Sequence, residues 1–220
     1  MALVFTVAPS TAFETLASEY AFSNLQRELL DRRSEQAVDA DLNAPDALAA
    51  VRFTSDPALT QSNLRSFIDR TPNPKGRVEL QRLIDLQPSI ITDIGLEMRS
   101  RYGLDPHNVA DAFSVWWITV WMAAQKSSDV PDKTTINAVR TQVHVALLNT
   151  PDFLKTSDAD RQEYAEALLM QTLLMSQISQ AAIGKPALQE QLATQAEQAA
   201  QNSGLTLSLM QLTPNGFELR

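Results

Sequence analysis

All three tryptophans of the chain fall within six positions, Trp116, Trp117 and Trp121, inside the apolar run Val109–Ala124. At about 100° per residue, the side chains of Phe113, Val115, Trp116, Trp117, Ile118, Val120, Trp121 and Met122 cover nearly the whole circumference. Such a run predicts a helix buried on every side, around which the rest of the domain is built. Asp105-Pro106-His107-Asn108 precedes it with the residue types that cap a helix.

Helical spacing recurs on either side. Asp56 caps and Pro57 opens a helix whose face is Leu64, Phe67 and Ile68, broken at Pro72-Asn73-Pro74. Lys75–Leu86 carries Val78, Leu80, Leu83 and Ile84. Pro88 opens a further helix through Ile91, Ile94, Met98 and Tyr102, with Gly103 as its left-handed stop. Asp132–Leu148 presents Ile136, Val139, Val143 and Leu147, and Ser157 with Asp160 reads as a capping box for Ala159–Ile183. Pro186–Asn202 has a stripe of small residues, Ala196, Ala199 and Ala200, which predicts an outer helix lying close against the bundle or against a second protomer. The alternation of Leu205, Leu207 and Leu209 and the turn signal Thr213-Pro214-Asn215-Gly216 predict a short extended tail or hairpin.

The expected fold is all-α, a bundle of about seven helices with a short extended C-terminal tail. Residues 51–220 form the helical domain. Residues 1–50 form a weakly patterned arm, with a partial helix over Phe13–Arg33.

A chain of 220 residues buries enough surface to hold a core without staples. It has no cysteine, so disulfides, thiolate metal sites and a cysteine nucleophile are excluded. The formal charge is −8 and the basic residues are scattered, which argues against nucleic acid as a partner. Val109–Ala124 is shorter than the ~20 residues a transmembrane helix needs and contains Asp111, so no transmembrane segment is expected. The opening residues lack the basic n-region of a signal peptide. Six glycines, none grouped, give no phosphate loop.

The stretch Arg101-Tyr102-Gly103-Leu104-Asp105-Pro106-His107-Asn108 and its continuation through Trp121 resemble the signature of an uncharacterised family of bacterial domains with no assigned function. Val139–Val143, the entry Ser157–Gln162 and the closing Leu212–Phe217 are similar in order and spacing, so the resemblance covers about Arg52 to the end. It implies a helical bacterial domain, often exported, and hence a periplasmic setting. It brings no activity and no catalytic residue.

Four residues are candidates for a site. Asp111 is a carboxylate on an otherwise apolar helix, aimed at the sector of Val115, Ile118 and Met122, and burial obliges it to be paired, hydrogen-bonded or protonated. Arg99, Arg101 and Arg140 are its candidate ion-pair partners. His107 lies four residues before Asp111 on the same face, so the two offer a pair of metal ligands that His144 or Glu97 would complete. Against this, the chain holds only two histidines and no HExxH motif. Trp117 and Trp121 share a face and either belong to the core or line a groove for a peptide, lipid tail or other apolar ligand. Ser114, Ser157 and Ser203 lack a nucleophile-elbow pattern.

The function expected from the sequence is a non-enzymatic interaction or binding module without a cofactor, for which the cell envelope is a compatible setting. Its partner is a protein or an apolar small ligand, and a homodimer is compatible with the alanine stripe. The alternative is a metal-dependent or acid/base enzyme centred on Asp111, His107 and His144.

Overall fold

The computed structural model describes residues 42, 44–71, 73–202 and 205–220. Most of the N-terminal arm, its Phe13–Arg33 helix and Ser203 lie outside the described residues. Eight α-helices follow one another: α1 (Pro45–Val51), α2 (Pro57–Arg70), α3 (Pro74–Leu86), α4 (Ile90–Glu97), α5 (Val109–Ala124), α6 (Lys133–Leu148), α7 (Asp158–Ala182) and α8 (Pro186–Asn202). Two short strands close the order, β1 (Met210–Thr213) and β2 (Gly216–Leu219). The helix beyond the expected seven is α1, which already packs on α6 through the Ala47 carbonyl and so places Pro45–Val51 with the domain.

Side-chain caps set most of the helix starts. The carboxylate of Asp56 accepts from the Ala58 N–H, Asn73 from Lys75 and Gly76, Asn108 from Ala110 and Asp111, and Asp132 from Thr135. Ser157 and Asp160 exchange both bonds of a capping box. Each such cap contributes about 1 kcal/mol by satisfying N–H groups that the helix itself leaves open.

Two elements depart from the sequence pattern. The helix expected to run from Pro88 to Tyr102 begins at Ile90 and changes at Glu97 into a π-helical turn, Met98–Tyr102, that ends at Gly103 with φ 72°. A π turn holds more residues than an α turn, so Met98 is buried and Tyr102, four residues later, still packs on the core. Leu205, Leu207 and Leu209 do not form a strand. Leu207–Leu209 is a 3-10 turn in which the Leu209 N–H donates to the Thr206 carbonyl, and the Glu197 carboxylate accepts from the N–H and hydroxyl of Ser208. The period-two pattern therefore places only Leu205 and Leu207 inside, and leaves Leu209 56% exposed. The hairpin comes after it, antiparallel with Met210 opposite Leu219 and Thr213 opposite Gly216 around Pro214-Asn215.

The tryptophan helix is the axis of the domain. Every residue of α5 from Val109 to Ile118 is buried, as are Val120 and Ala123. It packs against α6, α7 and α8. Ala196, Ala199 and Ala200 of α8 are buried, so the small stripe does let that helix approach closely. The fourth side is closed by the hairpin: the Phe217 ring stacks on Trp117 at 4.2 Å and meets Trp121 edge-on at 5.9 Å.

Candidate functional site

Asp111, Val115, Ile118 and Met122 lie at i, i+4, i+7 and i+11, one stripe along α5. The two ends of that stripe have different fates. At the N-terminal end the carboxylate of Asp111 is sealed by its neighbours. About 16 Å further along the axis, the stripe faces an open cavity.

The sealed end is a network of ion pairs. Arg140 of α6 donates from Nε to Asp111 Oδ1 at 2.5 Å, and the Asp105 N–H donates to Oδ2 at 2.8 Å. Burial pushes the Asp111 carboxyl above the usual carboxylate range, an effect that the Asp105 N–H and Arg140 offset only in part. Asp105, next to it, accepts from Arg52 at 2.6 Å and Arg99 at 3.2 Å. Its own burial works upward, but the His107 N–H and the two guanidinium groups outweigh this and hold its carboxyl below the ordinary value. Two neighbouring carboxylates are thus shifted in opposite directions by the difference in their surroundings.

The sequence candidates separate. The His107 ring lies against Phe53 at 5.7 Å. His144 is buried on α6 with Nε2 3.0 Å from the Ala47 carbonyl. Glu97 pairs with Arg101. Both oxygens of Asp111 are taken, and among the described residues no group of three His, Asp or Glu side chains is placed to hold a metal ion. Trp117 is fully buried, and Trp121, half-buried, donates from its indole N–H to the Met210 carbonyl at 3.4 Å. Neither lines the cavity. Ser114 bonds back to the Ala110 carbonyl and Ser157 is spent on its cap.

The cavity has a volume of about 290 Å³ and sits at the C-terminal end of α5. Val115, Ile118 and Met122 form one wall, and Ile136, Ala182 and Leu192 come from α6, α7 and α8. Helix ends make it. α5 stops at Lys126, which takes a left-handed conformation with φ 55°. Its N–H bonds the Ala123 carbonyl while the Ser127 N–H reaches back to Met122, the paired bonds of a Schellman ending. On the other side α7 turns into α8 through Gly184, φ 73°. Between these two stops the bundle does not close.

Polar groups ring the opening. Arg101 and Lys126 border it, as do Thr119 and the hydroxyls of Ser176 and Ser179 on α7. Arg101 is paired with Glu97 at 3.1 Å and lies over the Tyr102 ring at 5.6 Å. Lys126 pairs with Glu190. Both pairs are solvent-exposed, so each is worth about 0–1 kcal/mol. Burial raises the Tyr102 hydroxyl above its ordinary range, with the Arg101 charge opposing and Glu97 adding to it. The apolar sector of α5 was visible in the sequence through Val115, Ile118 and Met122. Arg101 was read only as a candidate partner for Asp111, and Lys126 and the α7 hydroxyls were missed, because only the meeting of three helix ends brings them together.

Among the described residues no helix is long and apolar enough to cross a membrane. No curated protein and no solved structure matches the chain. A model for a family of unknown function (DUF6683) matches residues 8–220, and the chain belongs to that family.

Proposed function

We propose that the chain is a non-enzymatic binding module whose site is the cavity at the end of α5, and whose ligand is a small, largely apolar molecule. The observation that carries this reading is the pairing of an apolar wall, Val115, Ile118 and Met122, with an open mouth between helix ends. Binding sites for small molecules are concave, mostly apolar and equipped with a few polar groups that set orientation. The cavity has all three attributes. The tryptophans serve it indirectly, by fixing the helix that supplies the wall.

A thermal-shift titration with 1-octanol tests the reading. Wild-type protein is expected to gain melting temperature with ligand concentration, since a molecule that binds only the folded state stabilises it. Ser179→Trp, which places an indole in the mouth, should abolish the gain. No shift in the wild type, or an equal shift in the variant, would exclude the cavity as the site.

A metal-dependent or acid/base enzyme centred on Asp111, His107 and His144 has less support, because the hydrogen-bonding capacity of Asp111 is committed to Arg140 and Asp105 and His144 turns to Ala47. The resemblance to exported bacterial domains favours a bacterial envelope as the setting, which fractionation of the source cells would test.

A further inference from the structure

We infer that the ligand of this cavity is a monoanionic amphiphile, an alkyl chain ended by a carboxylate, with its head at Arg101 and Lys126. The inference rests on the cavity being the binding site, as proposed above. Its basis is the sign of the charges around the cavity. Arg101 and Lys126 border the space, yet no Asp or Glu lines it, in a chain whose formal charge is −8. The charged side chains that line the cavity are thus both cations, each paired with a glutamate that stands outside the lining.

The remaining lining fits an alkyl chain with one polar end. Val115, Ile118, Ile136 and Leu192 offer only carbon to the interior. A volume of about 290 Å³ lies at the small end of the range of ligand sites, which suits a short alkyl chain. The hydroxyls of Thr119, Ser176 and Ser179 make no hydrogen bond among the described residues, and a carboxylate accepts from hydroxyls as readily as from cations.

The head has competitors, and they limit its charge. Glu97 and Glu190, 62% and 68% exposed, hold the two cations from the solvent side. Exposed pairs of this kind exchange partners at little cost. A single carboxylate needs to displace only one glutamate, exchanging one exposed pair for another, whereas a dianion would have to displace both, so the head is a single carboxylate.

Titration calorimetry of the full chain with decanoate, 1-decanol and decyltrimethylammonium, each below its aggregation limit, tests the assignment. Decanoate is expected to bind about tenfold more tightly than decanol, with the ammonium compound weakest, and the advantage should shrink as salt rises. In Arg101→Gln/Lys126→Gln, decanoate should fall to the affinity of decanol while decanol itself is unchanged. Equal binding of decanoate and decanol by the wild type, or a preference that survives the double substitution, would overturn the placement of the head and leave the cavity reading standing. If none of the three binds, the cavity reading fails as well. Should the double variant not fold, the wild-type salt series decides: a preference independent of salt overturns the inference.

Discussion

Gln142 and Phe217 hold each other through both ends of one amide. The side-chain Nε2 donates to the Phe217 carbonyl and Oε1 accepts from the Phe217 N–H, each at 2.8 Å. This clamp gives the short hairpin a fixed place on α6 and keeps the Phe217 ring flat on Trp117. Gly216 makes room for it: a Cβ there would stand 2.3 Å from Gln142 Oε1, and the backbone φ is +100°.

Gln142→Ala should therefore cost about 2 kcal/mol, the sum of two hydrogen bonds at about 1 kcal/mol each. Trp117 and Trp121 emission should shift to the red in the folded variant as the hairpin loosens, measured by fluorescence below the melting transition. Gly216→Ala should give the same spectral signature, because it drives the amide away.

Asp111 and Asp105 predict opposite pH dependences. The folded-state pKa of Asp111 is raised, so the native protein binds the proton more tightly than the unfolded chain. Its contribution is full below the unfolded value of 3.8 and is lost as pH rises through the raised folded value. For Asp105 the folded value is lowered, so its contribution is present above 3.8 and is lost as pH falls through the folded value. Denaturant melts against pH should show Asp111→Asn removing the slope above pH 3.8 and Asp105→Asn removing the slope below it.

Arg140→Ala should be more damaging than Asp111→Asn. The Asp111 side chain is 1% exposed, so removing its guanidinium partner strands a buried carboxylate and costs about 3 kcal/mol. The amide of Asn keeps one of the two acceptors and carries no charge. A double-mutant cycle read by urea denaturation checks the order.

Lys126→Gly should raise stability slightly. At φ 55° an L-residue carries strain that glycine does not, about 1 kcal/mol, against which the exposed pair with Glu190 contributes little. Lys126→Ala keeps the strain and loses the pair, so it should melt below the wild type. The two variants compared by calorimetry separate backbone from charge.

Glu166 predicts a different loss. It is buried on α7 and accepts from Thr60 at 2.6 Å, Asn63 at 2.7 Å and Gln162 at 2.9 Å, which ties α2 to the bundle. Glu166→Ala leaves Asn63 without its acceptor and turns Thr60 and Gln162 back to their remaining bonds around Asp56, and should cost about 2 kcal/mol. Hydrogen exchange should accelerate first in α2.

What the sequence revealed follows the range of the forces involved. The tryptophan helix, the caps at Asp56, Asn108 and Ser157 and the stop at Gly103 are local, and each was legible from neighbouring residues. The π turn at Met98–Tyr102 was not, because its cause is the packing of Met98 and Tyr102 on residues far along the chain. Period two misled at Leu207, where Glu197 fastens a 3-10 turn from eleven residues away. Asp111 was rightly seen as needing a partner and Arg140 was among those named, yet the cavity lies where the same stripe ends. Its polar rim comes from three helix ends that no local pattern joins.

Phe217 and Trp117 stand a hundred residues apart in the chain, 217 less 117, and meet ring on ring. On a ribosome that adds about 5–20 residues per second, the wall that closes α5 is made roughly 5–20 s after the helix it covers. Throughout that interval the most apolar helix of the domain is present without its cover. The hairpin is in this sense a late seal, and until it arrives the neighbouring helices are the only part of this fold that can cover the indole rings.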